Sequence, residues 1–147
     1  AKPSLIMFIC NHCPYVIHYH DEIKRLANDF DNTINMVAIS SNEIKEYPQD
    51  GPDKMREFWF ELVLSFPYLF DSSQDVAKNY KAECTPEFYL FDSSQKLVYR
   101  GRLDESSPNS GLEPTGEDLR NALESVLNNQ DVNADQFPSM GCNIKWK

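Results

Sequence analysis

The chain has 147 residues, 41% of them hydrophobic and 12% aromatic, enough for one ordinary core and one domain. Its 14 basic and 23 acidic residues leave a net charge of −9, which repels phosphate backbones and anionic lipid and argues against nucleic-acid or membrane-surface partners. No apolar run approaches the roughly 20 residues needed to span a bilayer, and no leader is visible. The expected compartment is therefore the cytoplasm, although the sequence opens almost inside its first strand.

That first strand is an apolar, β-prone run at about 4–9, and it stops at Cys10-Asn11-His12-Cys13. Helical periodicity begins after Pro14, with Val16, Tyr19, Ile23, Leu26, Ala27 and Phe30 at three- and four-residue steps. Asp31-Asn32 ends that helix. Residues 34–39 read as a second strand, apolar enough to be covered on both faces. The polar stretch 40–53 is long for a loop in a compact domain and is expected to border the site. Met55, Phe58, Trp59, Leu62 and Val63 mark another helix, closed by Ser65-Phe66-Pro67 and followed by a short extended piece at 68–70.

Ser72 with Asp75 resembles a capping box opening a helix through Val76, Ala77 and Tyr80. Residues 87–91 and 97–99, joined by Asp92-Ser93-Ser94-Gln95, should form an antiparallel hairpin. After a Ser-, Pro- and Gly-rich loop at 104–116, Thr115 with Asp118 can cap a last helix bearing Leu119, Ala122, Leu123, Val126 and Leu127. The expected organisation is a domain at 1–127 and a C-terminal linker and tail at 128–147. Phe137, Met140, Ile144 and Trp146 argue that the tail docks.

The chemistry concentrates at the Cys-x-x-Cys. Helix N-termini carry unpaired N–H groups and partial positive charge, which favour the reactive thiolate over the thiol. Proline suits the first helical position, so Pro14 should begin the helix, with Cys13 as its N-cap and Cys10 at the strand end. Redox chemistry is the first reading, with Cys13 as nucleophile and Cys10 as the leading resolving thiol. Two others stand beside it: cysteines used as small buried apolar residues, and a zinc site from Cys10, Cys13, Cys84 and His12, a set without standard spacing. His12 is either a proton shuttle beside the nucleophile or an exposed loop histidine.

The order β-α-β-α-(short β)-α-β-β-α, with the Cys-x-x-Cys after the first strand, resembles the thioredoxin fold. Phe66-Pro67-Tyr68-Leu69-Phe70-Asp71, Val76-Ala77-Lys78-Asn79-Tyr80 and Thr85-Pro86-Glu87-Phe88-Tyr89-Leu90-Phe91-Asp92 are similar to its peroxiredoxin-like (redoxin) branch, and the resemblance covers 4–127. It implies an α/β protein, a three-layer α/β/α sandwich with a mixed central sheet. Counting about five positions from the aromatic Phe8 implies Cys13 as the nucleophile. Cys13-Pro14-Tyr15-Val16 looks like a glutaredoxin-type Cys-Pro-Tyr-Cys with Val16 in place of its last cysteine.

The resemblance further implies that Pro86 is cis and packs against the active cysteine. Thr85 would offer its backbone to an extended substrate, with His12 and Pro14 beside it. Cys84 would lie near Cys13, or else be a small buried residue. Cys142 is either a resolving thiol on a C-terminal arm or, the preferred reading, packed and unreactive. Met7 stands nearest the place of the family's buried acid, so that acid should lack a counterpart.

The function these readings carry is a thiol–disulfide oxidoreductase or antioxidant protein. The Cys13 thiolate attacks a disulfide or a peroxide, Cys10 or else Cys84 resolves, and an external thiol restores the protein. No organic cofactor and no metal is called for. The alternatives are a thiol peroxidase and a non-catalytic binding module.

Overall fold

The strand Ser4–Phe8 (β1) alternates its side chains between two faces, and both faces are covered. Leu5, Met7 and, just beyond the strand, Ile9 point into the larger core cluster, while Phe8 belongs to a smaller cluster on the other side. Burying such side chains contributes about 1.5–3 kcal/mol each, which makes β1 the natural centre of the molecule. The computed structural model describes all 147 residues.

The remaining elements are α1 (Pro14–His18), α2 (His20–Phe30), β2 (Asn35–Ser40), α3 (Pro52–Glu61), β3 (Tyr68–Phe70) and α4 (Asp75–Tyr80). They continue through β4 (Cys84–Thr85), β5 (Glu87–Phe91), β6 (Leu97–Gly101), α5 (Glu117–Leu127) and β7 (Cys142–Asn143). A single 3-10 turn, Pro48–Asp50, interrupts the polar stretch before α3. The main sheet runs β3-β2-β1-β5-β6. β1 lies parallel to β2 and antiparallel to β5, β3 is parallel to β2, and β6 returns antiparallel to β5. The sheet is thus mixed. Side chains of α1, α2, α3 and α5 pack into the larger cluster and Ala77 of α4 into the smaller, which gives a thioredoxin-like α/β/α sandwich. No helix is long and apolar enough to cross a membrane.

Three local expectations are corrected. The single helix read from Val16 to Phe30 is two helices, broken at Tyr19, whose φ and ψ are −97° and 2°. The phenol there donates to the Ser106 carbonyl at 2.6 Å and to Asp104 at 3.2 Å, fastening the break to a distant loop. Ser72 and Asp75 do not make a capping box. Instead the Asp71 carboxylate accepts from the amides of Val76 and Ala77 and from the Ser41 hydroxyl. Asp118 does not cap α5 with Thr115. Asp104 instead holds the loop just before the helix, accepting the amides of Thr115 and Gly116 at 2.8 Å each, while the Thr115 hydroxyl accepts the Glu117 amide at 3.3 Å. In both places a carboxylate outside the local spacing pattern holds the chain at or just before the helix start.

The C-terminal tail returns along the free edge of β6. Gln136 bridges Val98 and Arg100, the Arg102 amide donates to the Phe137 carbonyl, and the Ser139 hydroxyl donates to the Gly101 carbonyl. It then crosses to β4, where β7 pairs antiparallel with Thr85 opposite Cys142 and Cys84 opposite Asn143. Of the four tail side chains singled out in the sequence, only Ile144 is buried; Phe137, Met140 and Trp146 stay exposed. The tail is held chiefly through its backbone.

Candidate active site: Cys13, Cys142 and the Thr85 strand

β1 ends against the core, and the chain leaves it through Cys10-Asn11-His12 into the first turn of α1. Pro14 occupies the first helical position and Cys13 the N-cap, with its carbonyl accepting from the amides of Val16 and Ile17. Cys13 is buried, and its Sγ lies 3.5 Å from the Thr85 carbonyl oxygen. The Thr85–Pro86 peptide bond is cis. Thr85 is also the residue opposite Cys142 in the β4–β7 pair, and Cys13 and Cys142 form a disulfide with Cα atoms 6.3 Å apart.

The partner of Cys13 is therefore Cys142, neither Cys10 nor Cys84, and the preferred reading of Cys142 as packed and unreactive is corrected with it. The reason is strand pairing: once β7 lies antiparallel on β4, Cys142 is placed directly across from Thr85, whose carbonyl oxygen faces Cys13. Gly141 makes this approach feasible. A Cβ there would collide with the Thr85 carbonyl, so a side chain immediately before Cys142 would lift the tail off the strand.

Cys10 and Cys84 are free thiols. Cys10 is buried, with its Sγ 3.5 Å from the Thr85 hydroxyl. Burial pushes its pKa up and the Asp50 carboxylate adds to this, against the opposing pull of Thr85 and the amides of Cys13 and His12. Cys84 does not face the site. Neighbours on a strand point to opposite sides, so with Thr85 turned toward Cys10 and Cys13, Cys84 turns toward the tail and donates to the Ser139 carbonyl at 3.8 Å. Burial, then the carboxylates of Glu87 and Glu83, push its pKa up to about 12. Neither free thiol is prepared as a thiolate.

His12 is partly exposed and bonded to Asp50 through Nδ1 at 2.7 Å. Its Nε2 lies 3.4 Å from the Gln49 side-chain nitrogen. Asp50 corrects the expectation that the site lacks a buried acid. It is fully buried, comes from the 3-10 turn in the polar stretch rather than from β1, and also accepts from the Asn11 amide and the Asn42 side chain. Asn42 in turn accepts the amide of Lys145 at 2.9 Å, which links the tail to the buried acid. Gln74 is the other residue that sequence reasoning missed. Its amide group donates to the carbonyls of Ser41 and Lys145 and its carbonyl oxygen accepts the Lys147 amide. The only signals for these residues were the length of the polar stretch and the glycine before Cys142. Cys10, His12 and Asp50 hold their ligand atoms within 4.8 Å of one another, the set best placed to hold a metal. Hydrogen bonds already occupy both Asp50 oxygens.

A family model described as Redoxin matches residues 1–118. The chain belongs to the Redoxin family. It is similar to an uncharacterised conserved protein from Geobacillus kaustophilus, at 51% identity and a TM-score of 0.97, covering 99% of this chain and 78% of that one. A hypothetical protein from Sinorhizobium meliloti is 40% identical, with a TM-score of 0.97 and coverage of 99% and 80%. A thiol-disulfide isomerase from Corynebacterium glutamicum shares the fold at 17% identity, with a TM-score of 0.68 and coverage of 86% and 80%. No curated protein matches the chain.

Proposed function

We propose that this redoxin is a thiol–disulfide oxidoreductase in which Cys13 attacks and Cys142, carried on the C-terminal tail, resolves. The observation that carries the reading is the Cys13–Cys142 disulfide laid over Thr85 by the pairing of β7 with β4. Family membership and the shared fold of a thiol-disulfide isomerase support the same chemistry.

In the forward direction the Cys13 thiolate attacks one sulfur of a substrate disulfide. The S–S bond breaks, one substrate thiolate leaves, and a mixed disulfide remains on Cys13. Cys142, deprotonated, then attacks the Cys13 sulfur and expels the second substrate thiolate, so two electrons pass to substrate and the internal disulfide forms. Two external thiols then reduce the Cys13–Cys142 bond by two successive exchanges and leave as their own disulfide. The electrons reside on two cysteines, and the scheme calls for no organic cofactor. His12, which directly precedes Cys13 and is held on Asp50 through Nδ1, is the candidate to carry the thiol proton. Cys10, whose thiol burial keeps protonated, is a reserve thiol rather than the first resolver.

The test is single-turnover mixing of the reduced protein with a model disulfide and, separately, with hydrogen peroxide, with mass mapping of the product. A Cys13–Cys142 disulfide formed at least tenfold faster from the disulfide is the expected result. Faster oxidation by peroxide would reassign the protein as a thiol peroxidase. A Cys10–Cys13 product would return the resolving role to Cys10. No reaction at Cys13 would leave a binding module.

A further inference from the structure

The tail occupies a trench with three separate requirements, and each reads a different part of the strand in it. Gly141 meets the Thr85 carbonyl so closely that no Cβ fits. Ile144 drops into an apolar pocket of Phe8, Ile39, Ala77, Ala82 and Tyr89 and is only 3% exposed. Between and beyond them, main-chain groups are received by the Glu83 carbonyl, by Asn42 and by Gln74. Asn42 and Gln74 are buried, and Gln74 holds a left-handed backbone with φ of 68°. With the tail withdrawn, Asn42 Oδ1 and Gln74 Oε1 would lose their protein donors and turn to water or to the amides of another strand. The trench is thus built around an extended strand.

We infer that this trench is a sequence-selective binding site for an extended, cysteine-bearing segment of a client polypeptide. Its pattern is glycine directly before the cysteine and an aliphatic residue two positions after it, and the tail's Gly141-Cys142-Asn143-Ile144 is the resident copy. The inference rests on the oxidoreductase reading above, because Cys13 lies where the client's cysteine would come to rest. The tail then has two roles in succession: it gives way to the client while Cys13 attacks, and it re-enters the same trench to deliver Cys142 and expel the product.

The test uses the full chain with Cys142→Ser, reduced, and a synthetic peptide copying residues 138–147 whose cysteine is a mixed disulfide with thionitrobenzoate. Cys13 attacks the peptide sulfur, the bond to thionitrobenzoate breaks, and the released thiolate is read by its absorbance. The matching peptide should react at least tenfold faster than copies carrying Gly141→Val or Ile144→Asp. A second protein with Gly141→Val added to Cys142→Ser should react still faster with the matching peptide, because its own tail no longer competes. Peptide rates within twofold of one another, or no acceleration in the second protein, would overturn the inference. Labelling of Cys13 by the free dithiobis-nitrobenzoate reagent separates the two claims: if it proceeds while the peptides are not distinguished, the trench proposal falls and the oxidoreductase reading stands. If Cys13 resists that reagent as well, both fall.

Discussion

The segment that carries Cys13 and the segment that carries Cys142 meet at one bond, yet opposite means hold them in place. β1 is flanked by strands on both sides, and Leu5, Met7 and Ile9 are fully buried. The tail buries Ile144, leaves Met140 67% exposed, and otherwise depends on backbone hydrogen bonds to β6 and β4, the side chains of Asn42 and Gln74, and the disulfide. Under the proposed scheme the nucleophile needs a rigid seat, whereas the resolving thiol must be able to leave while substrate is bound. The difference in attachment suits that division of work: the core side is expensive to disturb, and the tail side, once its covalent bond is broken, is held by hydrogen bonds and one buried side chain.

Removing the nucleophile should break the comparison most completely. Cys13→Ser should bring disulfide reduction to background in a turnover assay, whereas Cys142→Ser should keep the first attack and accumulate a mixed disulfide visible by intact mass. Retained turnover in Cys13→Ser would transfer the nucleophilic role elsewhere. The next largest effect concerns stability. The disulfide joins residues 129 positions apart, and by loop entropy its reduction should lower unfolding stability by about 4–5 kcal/mol, read from denaturant curves with and without reductant.

A core-side counterpart is Asp104, which accepts from Tyr19, Ser106, Thr115 and Gly116 and ties the α1–α2 break to the start of α5. Asp104→Ala should cost about 3–5 kcal/mol in either redox state, since it leaves several buried donors unpaired. Although burial opposes the Asp104 charge, the hydroxyl of Ser106 and the amides of Gly116, Ser106 and Thr115 outweigh it and hold its pKa below the ordinary value. The sign follows from that direction. The carboxylate contributes fully above its unfolded pKa, and the contribution is lost as pH falls through the depressed folded one. Asp104→Asn should therefore flatten the acid side of the stability–pH profile.

The smallest effect sharpens the tail side alone. Gln74→Gly keeps the left-handed backbone accessible while removing the bonds to Lys145 and Lys147, together with the one to the Ser41 carbonyl. It should slow closure of the Cys13–Cys142 disulfide several-fold, corresponding to roughly 1 kcal/mol of lost tail docking. The Cys13 alkylation rate in the reduced protein should stay unchanged. A change in that rate would mean that Gln74 acts on the nucleophile and not on the tail.

What was legible in the sequence had short-range causes. The apolar run of β1, the helix opening at Pro14 with Cys13 before it, and the hairpin of β5 and β6 follow from periodicity, proline chemistry and turn residues within a few positions. The orientation of Cys84 was in principle readable too, because alternation along a strand sends it away from the side that Thr85 faces. The cap of α4 was misread because Asp71 reaches its amides from outside the spacing pattern, and before α5 Asp104 holds the loop rather than the helix's own amides.

The sequence by itself determined the local junction, a cysteine between a buried strand and a helix, because local steric and hydrophobic preferences act over neighbouring residues. Only the tertiary structure decided which sulfur answers it. The approach of Cys142 requires β7 to pair with β4, Gly141 to clear the Thr85 carbonyl, and Asn42 and Gln74 to receive the tail. Asp50 reaches the site in the same way, through the return of a polar loop upon the end of β1. Contacts between residues 38 to 129 positions apart leave no periodic trace in a single chain, since they form only when the fold brings distant strands, loops and side chains together.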